Sequence, residues 1–358
     1  MSILKLHYAS LEQRVAATFY NGLIKDKCAD ESQKDLQTFF HTLYKALYDN
    51  PEQFGFRLQE DDYLIEGEEG EKDHKQALSR KMKKSRTVIL SAMELLIHFG
   101  SNGVIANNSL TMPKDEMLEK AFRSRNQKKF FAGMAEMGFH LTDEGEAVTF
   151  HNESTPNMLS ALEELAKACS KHTDPNIGFF NFFRCDFNAL DTKNYIPDIE
   201  SMYTLFMEED QGRLLELHRY FVDHGYKTEL SIWKTNWDIK YQGDRKVKST
   251  PLYQLTYEDR YQNPLRVQIK PASTGRLKEL IPQQSVVLQK DYSNRAHACR
   301  GDDCGWCYNK KTLGPSKVIF NGEERVVCWY TNPMVAPFTD ESIPLIQEYE
   351  QMHAKLIG

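Results

Sequence analysis

The 358-residue sequence has no long apolar run and no recognisable secretion signal. A membrane-spanning helix needs roughly 18 or more mostly apolar residues in succession, and no stretch of the chain provides them. The first twenty residues contain Lys5, Glu12 and Arg14, where a signal peptide needs an uninterrupted apolar segment. We therefore expect no membrane partner.

The chain also lacks the cysteine pattern of a secreted, disulfide-bonded protein. It has seven cysteines, an odd number, and Cys28, Cys169 and Cys185 are scattered among apolar neighbours. Cysteines used in this way are typical of a reducing compartment. The sequence therefore predicts a cytoplasmic location.

The common catalytic motifs are absent as well. The chain contains no G-x-G-x-x-G, no phosphate-binding P-loop, no H-E-x-x-H and no nucleophile elbow. Its histidines do not fall at metal-ligand spacing, and we interpret them as surface or satisfied core residues: His140, His151, His172, His218 and His224. These absences favour a non-enzymatic protein. An enzyme remains the alternative, because catalytic groups can come from residues that are distant in sequence.

Composition and length predict a globular protein of more than one domain. Apolar residues make up 41% and charged residues 27% of the chain, and 358 residues exceed a comfortable single core. A net charge of −6 excludes a surface that is basic all over. The acidic stretch EGEEGEK and the stretch HTDPNIG predict boundaries between a helical segment (1–58), a helical domain (74–172) and an α+β domain (178–358).

The middle segment is locally basic and predicts a winged-helix-like order. Residues 74–130 hold twelve Lys or Arg and four Asp or Glu, a balance of +8. Periodicity and glycine or proline signals predict a helix of about 25 residues ending at Gly100, a helix from Pro113 and a helix over 125–137. A hairpin around Asp143–Glu146 follows. This order of elements resembles a winged helix.

A winged helix would place the basic residues of this segment against DNA phosphates. The competing interpretation is a solvated basic helix face. The candidate nucleic-acid-binding residues are Lys81, Lys83, Lys84, Arg86, Arg123, Arg125, Lys128 and Lys129.

Beyond residue 225 the apolar period changes to two, which predicts four strands in an antiparallel meander with helices on one face. Aromatic side chains are frequent in these strands. They could line a pocket for a flat or anionic small molecule, or they could be core residues. The candidate pocket residues are Trp237, Tyr241, Tyr253, Tyr257 and Arg266.

The most specific signal is a cysteine cluster near the C-terminus. Cys299, Cys304 and Cys307 follow C-x4-C-x2-C spacing, and Cys328 follows after twenty intervening residues, on the second arm of a predicted hairpin. Four thiolates satisfy a closed tetrahedral zinc site, which contributes to folding rather than to catalysis. His297 could replace one thiolate or act as an outer hydrogen-bond donor.

An iron–sulfur centre is the main alternative for these four cysteines. The run CRGDDCGWC with a later cysteine in VVCWY resembles the cluster loop of plant-type ferredoxins. The resemblance covers under a tenth of the chain and implies a 2Fe–2S cluster in a redox protein or enzyme. A third alternative is that the thiols bind no metal.

Together these patterns predict a cytosolic, non-enzymatic regulatory or ligand-binding protein with a structural zinc site. A bacterial-type transcription regulator that binds DNA through residues 74–155 fits this description. Other partners left open by the sequence are a small-molecule ligand and a protein.

Overall fold

The computed structural model describes residues 28–55, 71–115, 118–119, 125–203, 208–243, 253–257, 265–269, 274–296, 298–299, 315–328, 334–335 and 338–357. The first 27 residues of the predicted helical segment 1–58 lie outside these ranges. The chain divides near Glu208 into two compact units, and the short segment Ile232–Thr235 belongs to the first of them.

The first unit is mostly helical and contains one small sheet. Its helices and strands follow one another in the order α1 (Asp30–Asp49), α2 (Glu71–Asn102), β1 (Val104–Ala106), β2 (Ser109–Pro113), α3 (Arg125–Ala135), β3 (Phe139–Asp143), β4 (Ala147–Asn152), α4 (Met158–Ser170), α5 (Pro175–Phe183), α6 (Asn188–Asp191) and α7 (Ile199–Tyr203). A 3-10 turn, Pro51–Phe54, follows α1 and packs against α3.

The core of the first unit lies between α4, its helical neighbours and the sheet. Helix α4 packs against α1, α2 and α5. The Phe139 ring stacks on Phe39 of α1 at 5.2 Å and contacts Phe150 at 4.1 Å between ring centroids. These contacts bury one face of the β3–β4 hairpin and leave the alternate residues of each strand on the other face.

The sheet of the first unit has the strand order β1-β2-β4-β3. After the long helix α2, the predicted winged-helix-like segment forms β2, α3, β3 and β4 in that order, and β4 lies between β2 and β3 in the sheet. Only Leu118 and Glu119 are described as helical between β2 and α3. The predicted helix start at Pro113 is wrong, because Pro113 pairs with Ala147 at the end of β2.

The predicted boundary at 172–178 falls inside the first unit. Asp174 accepts a hydrogen bond from the Asn176 N–H and begins α5, with Pro175 at its first position. At Gly178 an added Cβ would lie 2.2 Å from the Cys169 carbonyl oxygen. The proline and glycine that suggested a linker therefore begin a helix and permit its close packing on α4.

The second unit is an α+β domain. Its elements are α8 (Glu208–Asp223), β5 (Lys227–Trp233), β6 (Asn236–Gln242), β7 (Tyr253–Tyr257), β8 (Leu265–Ile269), α9 (Thr274–Leu277), α10 (Val286–Arg295), β9 (Ser316–Phe320), β10 (Glu323–Val327), β11 (Met334–Val335) and α11 (Ser342–Ile357). The sequence did not predict α10.

The predicted meander is confirmed and gains one strand. The sheet has the order β11-β8-β7-β6-β5, and β6–β7, β7–β8 and β8–β11 are antiparallel pairs. Helices lie on its apolar face, where Phe221 of α8 contacts Tyr241 at 4.5 Å and Tyr253 at 4.6 Å. The α+β class predicted from the sequence is therefore correct.

The hairpin β9–β10 also follows its sequence signal. Asn321 and Gly322 both take positive φ, 49° and 87°, as a type I′ turn requires. In the described part of the chain, no helix is both long and apolar enough to cross a membrane.

Candidate functional sites

Two of the four clustered cysteines flank an isolated β-bridge. Ala298 pairs antiparallel with Val327, whose other neighbour is Ser316 of β9. Cys299 and Cys328 each follow a bridged residue directly. Alternate residues of extended chain point to opposite faces, so this register would place both cysteines on the face opposite to Ala298 and Val327.

Helix α10 anchors both chain segments that meet at this bridge. It ends at Arg295, four residues before Cys299. The hairpin that leads to Cys328 is tied to the same helix, since Gln289 Oε1 accepts the Asn321 N–H at 2.7 Å and Arg325 donates to the Ser293 carbonyl at 2.8 Å. The end of α10 and these hydrogen bonds therefore position the backbone that leads to Cys299 and to Cys328.

The bridge places Cys299 and Cys328 diagonally across an antiparallel pair. Residues placed diagonally across an antiparallel pair have Cα atoms roughly 7–8 Å apart. That separation exceeds the roughly 4.4–6.8 Å of most disulfides. It suits two thiolates that each lie about 2.3 Å from one zinc ion. Both residues are partly exposed, and Cys304, Cys307 and His297 lie outside the described residues.

The other cysteines are of a different kind. Cys28, Cys169 and Cys185 are buried in the core of the first unit. Burial raises the pKa of each thiol above its ordinary value. A buried thiol with a raised pKa is neither a good nucleophile nor a ready metal ligand, so these three cysteines serve as small apolar core residues.

Helix α3 presents a narrow basic stripe to solvent. Arg125, Lys128 and Ala132 are exposed and share one face of the helix, while Phe130 and Met134 are buried on the other. Lys129 is half-buried, and its aliphatic stem lies against Gly55, where an added Cβ would come within 2.7 Å of Lys129 Cδ.

The remaining basic candidates are only partly described. The backbone at Lys81, Lys83, Lys84 and Arg86 belongs to α2, but their side chains lie outside the described part of the structure, and so does Arg123. The wing-like hairpin β3–β4 carries the opposite charge at its tip, where Asp143, Glu144 and Glu146 are all exposed.

The aromatic pocket candidates lie in the core of the second unit. Trp237 stacks on Tyr257 at 5.7 Å, and the Tyr241 hydroxyl is 3.1 Å from His218 Nδ1. The candidates Trp237, Tyr241, Tyr253 and Tyr257 are each 3% exposed or less. These contacts agree with the core interpretation of the sequence. Arg266 lies on the opposite face of its strand, partly exposed between Leu265 and Val267. Binding of a ligand by these residues stays a prediction.

The hairpin β3–β4 assembles a site that sequence spacing missed. His140 and His151 are direct cross-strand partners, and Glu153 lies on the same face. Glu153 Oε1 is 3.9 Å from His140 Nε2 and 4.0 Å from His151 Nε2. The three ligand atoms lie within 4.8 Å of one another. We name His140, His151 and Glu153 the hairpin site.

The sequence predicted the β3–β4 hairpin but not the register that brings His140 and His151 together. A turn centred on Asp143–Glu146 would place His140 opposite Thr149. The observed turn is closed by a hydrogen bond from the Glu144 N–H to the Ala147 carbonyl, with Gly145 at φ 88° as in a type II′ turn. The turn therefore begins one residue later than predicted, and this register places His140 opposite His151.

Comparison with protein-family models, with curated proteins and with solved structures found no match for this chain.

Proposed function

We propose that this chain is a DNA-binding regulatory protein whose first unit contacts duplex DNA through the exposed face of α3. The observation that supports this most is the position of α3 in the fold. It precedes the β3–β4 hairpin, and β4 pairs with the strand that comes before α3, in the order typical of a winged helix.

The charges on α3 fit this function. In helix-turn-helix proteins, the N-terminal residues of the second helix reach base edges while nearby cations neutralise phosphates. Arg125 and Lys128 occupy the first turn of α3 and are both exposed. The acidic tip of β3–β4 would be repelled by a phosphate backbone, so binding rests on the helix and not on the hairpin tip.

The test uses the full-length protein and a mixed-sequence duplex of about 25 base pairs, with fluorescence anisotropy measured over a range of salt concentrations. The double variant Arg125→Glu/Lys128→Glu should bind at least about tenfold more weakly. Its slope of log affinity against log salt should fall by about two, because two phosphate contacts are lost.

A matched control separates the α3 stripe from net charge. Lys171→Glu/Lys193→Glu changes the charge equally at two exposed lysines of the same unit, after α4 and after α6. This control should bind DNA nearly as well as the native chain. The proposal is overturned if the native protein shows no salt-dependent binding, or if both double variants lose affinity equally.

We further propose that Cys299, Cys304, Cys307 and Cys328 hold one structural zinc ion in the second unit. The bridge between Ala298 and Val327 supports it, because it brings together the two ends of the cluster. Four thiolates would fill the coordination sphere of zinc and leave no position for water. The ion would join the segment after α10 to the β9–β10 hairpin.

Elemental analysis of anaerobically purified protein, with a visible spectrum alongside, tests the zinc proposal. We expect zinc that survives dialysis in the native chain and in Cys28→Ser, and its loss in Cys328→Ser. Iron with sulfide and visible colour would replace zinc with the iron–sulfur alternative. Equal metal content in Cys328→Ser and the native chain would remove Cys328 from the site.

A further inference from the structure

We propose that the hairpin site, His140, His151 and Glu153, binds one divalent first-row transition-metal ion of the zinc type. The site lies on the outer face of the β3–β4 hairpin in the first unit. It shares no residue with the cysteine cluster and does not depend on DNA binding.

Strand pairing places the two imidazoles side by side. The Glu153 N–H donates to the Gly138 carbonyl at 2.9 Å, so these two residues form a hydrogen-bonded pair of the ladder. Such pairs recur every second residue, and His140 with His151 is therefore the next one, with Cα atoms about 5.5 Å apart. The rings stack at 4.9 Å between centroids with their planes 22° apart.

Glu153 completes a three-ligand set on the same face. It lies two residues beyond His151, so both side chains leave the strand in the same direction. Two ligands about 2.0–2.1 Å from a tetrahedral zinc ion are about 3.4 Å from each other. The observed 3.9 and 4.0 Å between the carboxylate and the two imidazoles exceed this by little. Side-chain shifts of under about 1 Å close the site.

The backbone around Glu153 is already fixed. The buried Asn152 side chain accepts the N–H groups of Ser154 at 2.9 Å and Thr155 at 3.0 Å, which holds the chain directly after β4. Because the backbone need not be ordered by the ion, only the rotamers of three side chains are restricted on binding. Pre-ordering of this kind raises metal affinity.

The donor set selects the class of ion. Two imidazoles and one carboxylate suit zinc and its first-row neighbours, whereas magnesium and calcium prefer oxygen ligands alone. Three protein ligands leave a fourth position for water or for an oxygen from another molecule. Glu153 is 72% exposed, so the ion can exchange with solution. This contrasts with the closed site proposed for the four cysteines.

The test is a Zn²⁺ titration of the full-length protein by calorimetry, after dialysis that leaves tightly held metal in place. The native chain should take up one further equivalent. His140→Ala and Glu153→Gln should each bind that equivalent at least about tenfold more weakly. Thr142→Ala, on the same strand and face, and His224→Ala, an exposed histidine after α8, are the matched controls and should bind it like the native chain.

Two further measurements make the result decisive. In NMR spectra of protein labelled with ¹⁵N-histidine, Zn²⁺ should shift the ring signals of two histidines, and Mg²⁺ should shift none. Cys328→Ser should keep the same titration, which separates this site from the cysteine cluster. The proposal is overturned if His140→Ala/His151→Ala binds the additional Zn²⁺ as tightly as the native chain does, or if no ring signal moves.

Discussion

The core of the first unit buries a charged pair of side chains, whereas the core of the second unit buries a neutral pair. In the first, Arg184 and Asp186 are fully buried, with Nη2 and Oδ2 3.8 Å apart, and Asp186 Oδ1 also accepts the Asn188 side-chain N–H at 2.9 Å. In the second, the Tyr253 hydroxyl lies 2.9 Å from His353 Nδ1, and burial lowers the pKa of His353 to about 4. One core contains an ion pair and the other a neutral pair.

This difference determines what each unit tolerates. An ion pair in a core is damaged when one charge is removed, because the other charge stays buried without compensation. A neutral buried pair is damaged when a charge is added. We therefore expect the first unit to respond to a neutralising substitution and the second to respond to acid.

Neutralising Asp186 should have the largest effect on stability. Asp186→Asn keeps the shape of the side chain and leaves Arg184 charged, so the free energy of unfolding of the first unit should fall by about 3–5 kcal/mol. Hydrogen exchange read by mass spectrometry follows each unit separately and should show no change in the second. Arg184→Met/Asp186→Asn removes both charges and should cost less than Asp186→Asn alone. A loss below about 1 kcal/mol in Asp186→Asn would contradict the comparison.

Acid should act on the second unit. The pKa of His353 in the folded chain, about 4, lies below its ordinary value of 6.5. As the pH falls, the unfolded chain therefore binds the proton at a higher pH than the folded chain does. The contribution of neutral His353 to the free energy of unfolding is therefore fully present above pH 6.5. It is lost as the pH falls from 6.5 towards 4, by an amount on the order of 3 kcal/mol near pH 4. Urea unfolding measured at a series of pH values checks this. His353→Gln stays neutral and should lose that share of the pH dependence; an unchanged profile would exclude His353 as the cause.

Surface charge should affect binding and leave stability nearly unchanged. Glu144→Lys/Glu146→Lys reverses two exposed charges at the tip of β3–β4 and should raise DNA affinity several-fold at low salt, while stability changes by no more than about 0.5 kcal/mol. Anisotropy titrations compare this variant with Glu323→Lys/Glu324→Lys, which makes the same change on the β9–β10 hairpin of the second unit. Equal gains in both variants would show a general charge effect and no role for the wing-like hairpin.

Local sequence signals predicted most of the secondary structure. Alternation of apolar residues fixed β6, β7 and β8 because one face of each strand is buried, and the dipeptide Asn321-Gly322 predicted its turn because both positions need positive φ. The same rules failed at Pro113 and at the stretch containing Gly178. Proline tolerates a strand end as well as a helix start, and glycine permits close packing as well as a turn.

The candidate sites differ in how far sequence could define them. Cys299 and Cys328 were found from spacing, since metal-binding thiols come in close clusters. His140 and His151 are eleven positions apart and match no ligand spacing, so only the register of β3 with β4 brings them together. A change of two residues in the turn would separate them.

The sequence by itself determined the α+β class, the strand meander and the clustered thiols, because these follow from short-range periodicity and spacing. Only the tertiary structure decided the rest. It placed α5 inside the first unit, enclosed Arg184 beside Asp186 and put Tyr253 against His353, because burial and long-range pairing arise from contacts between residues that are far apart in the chain.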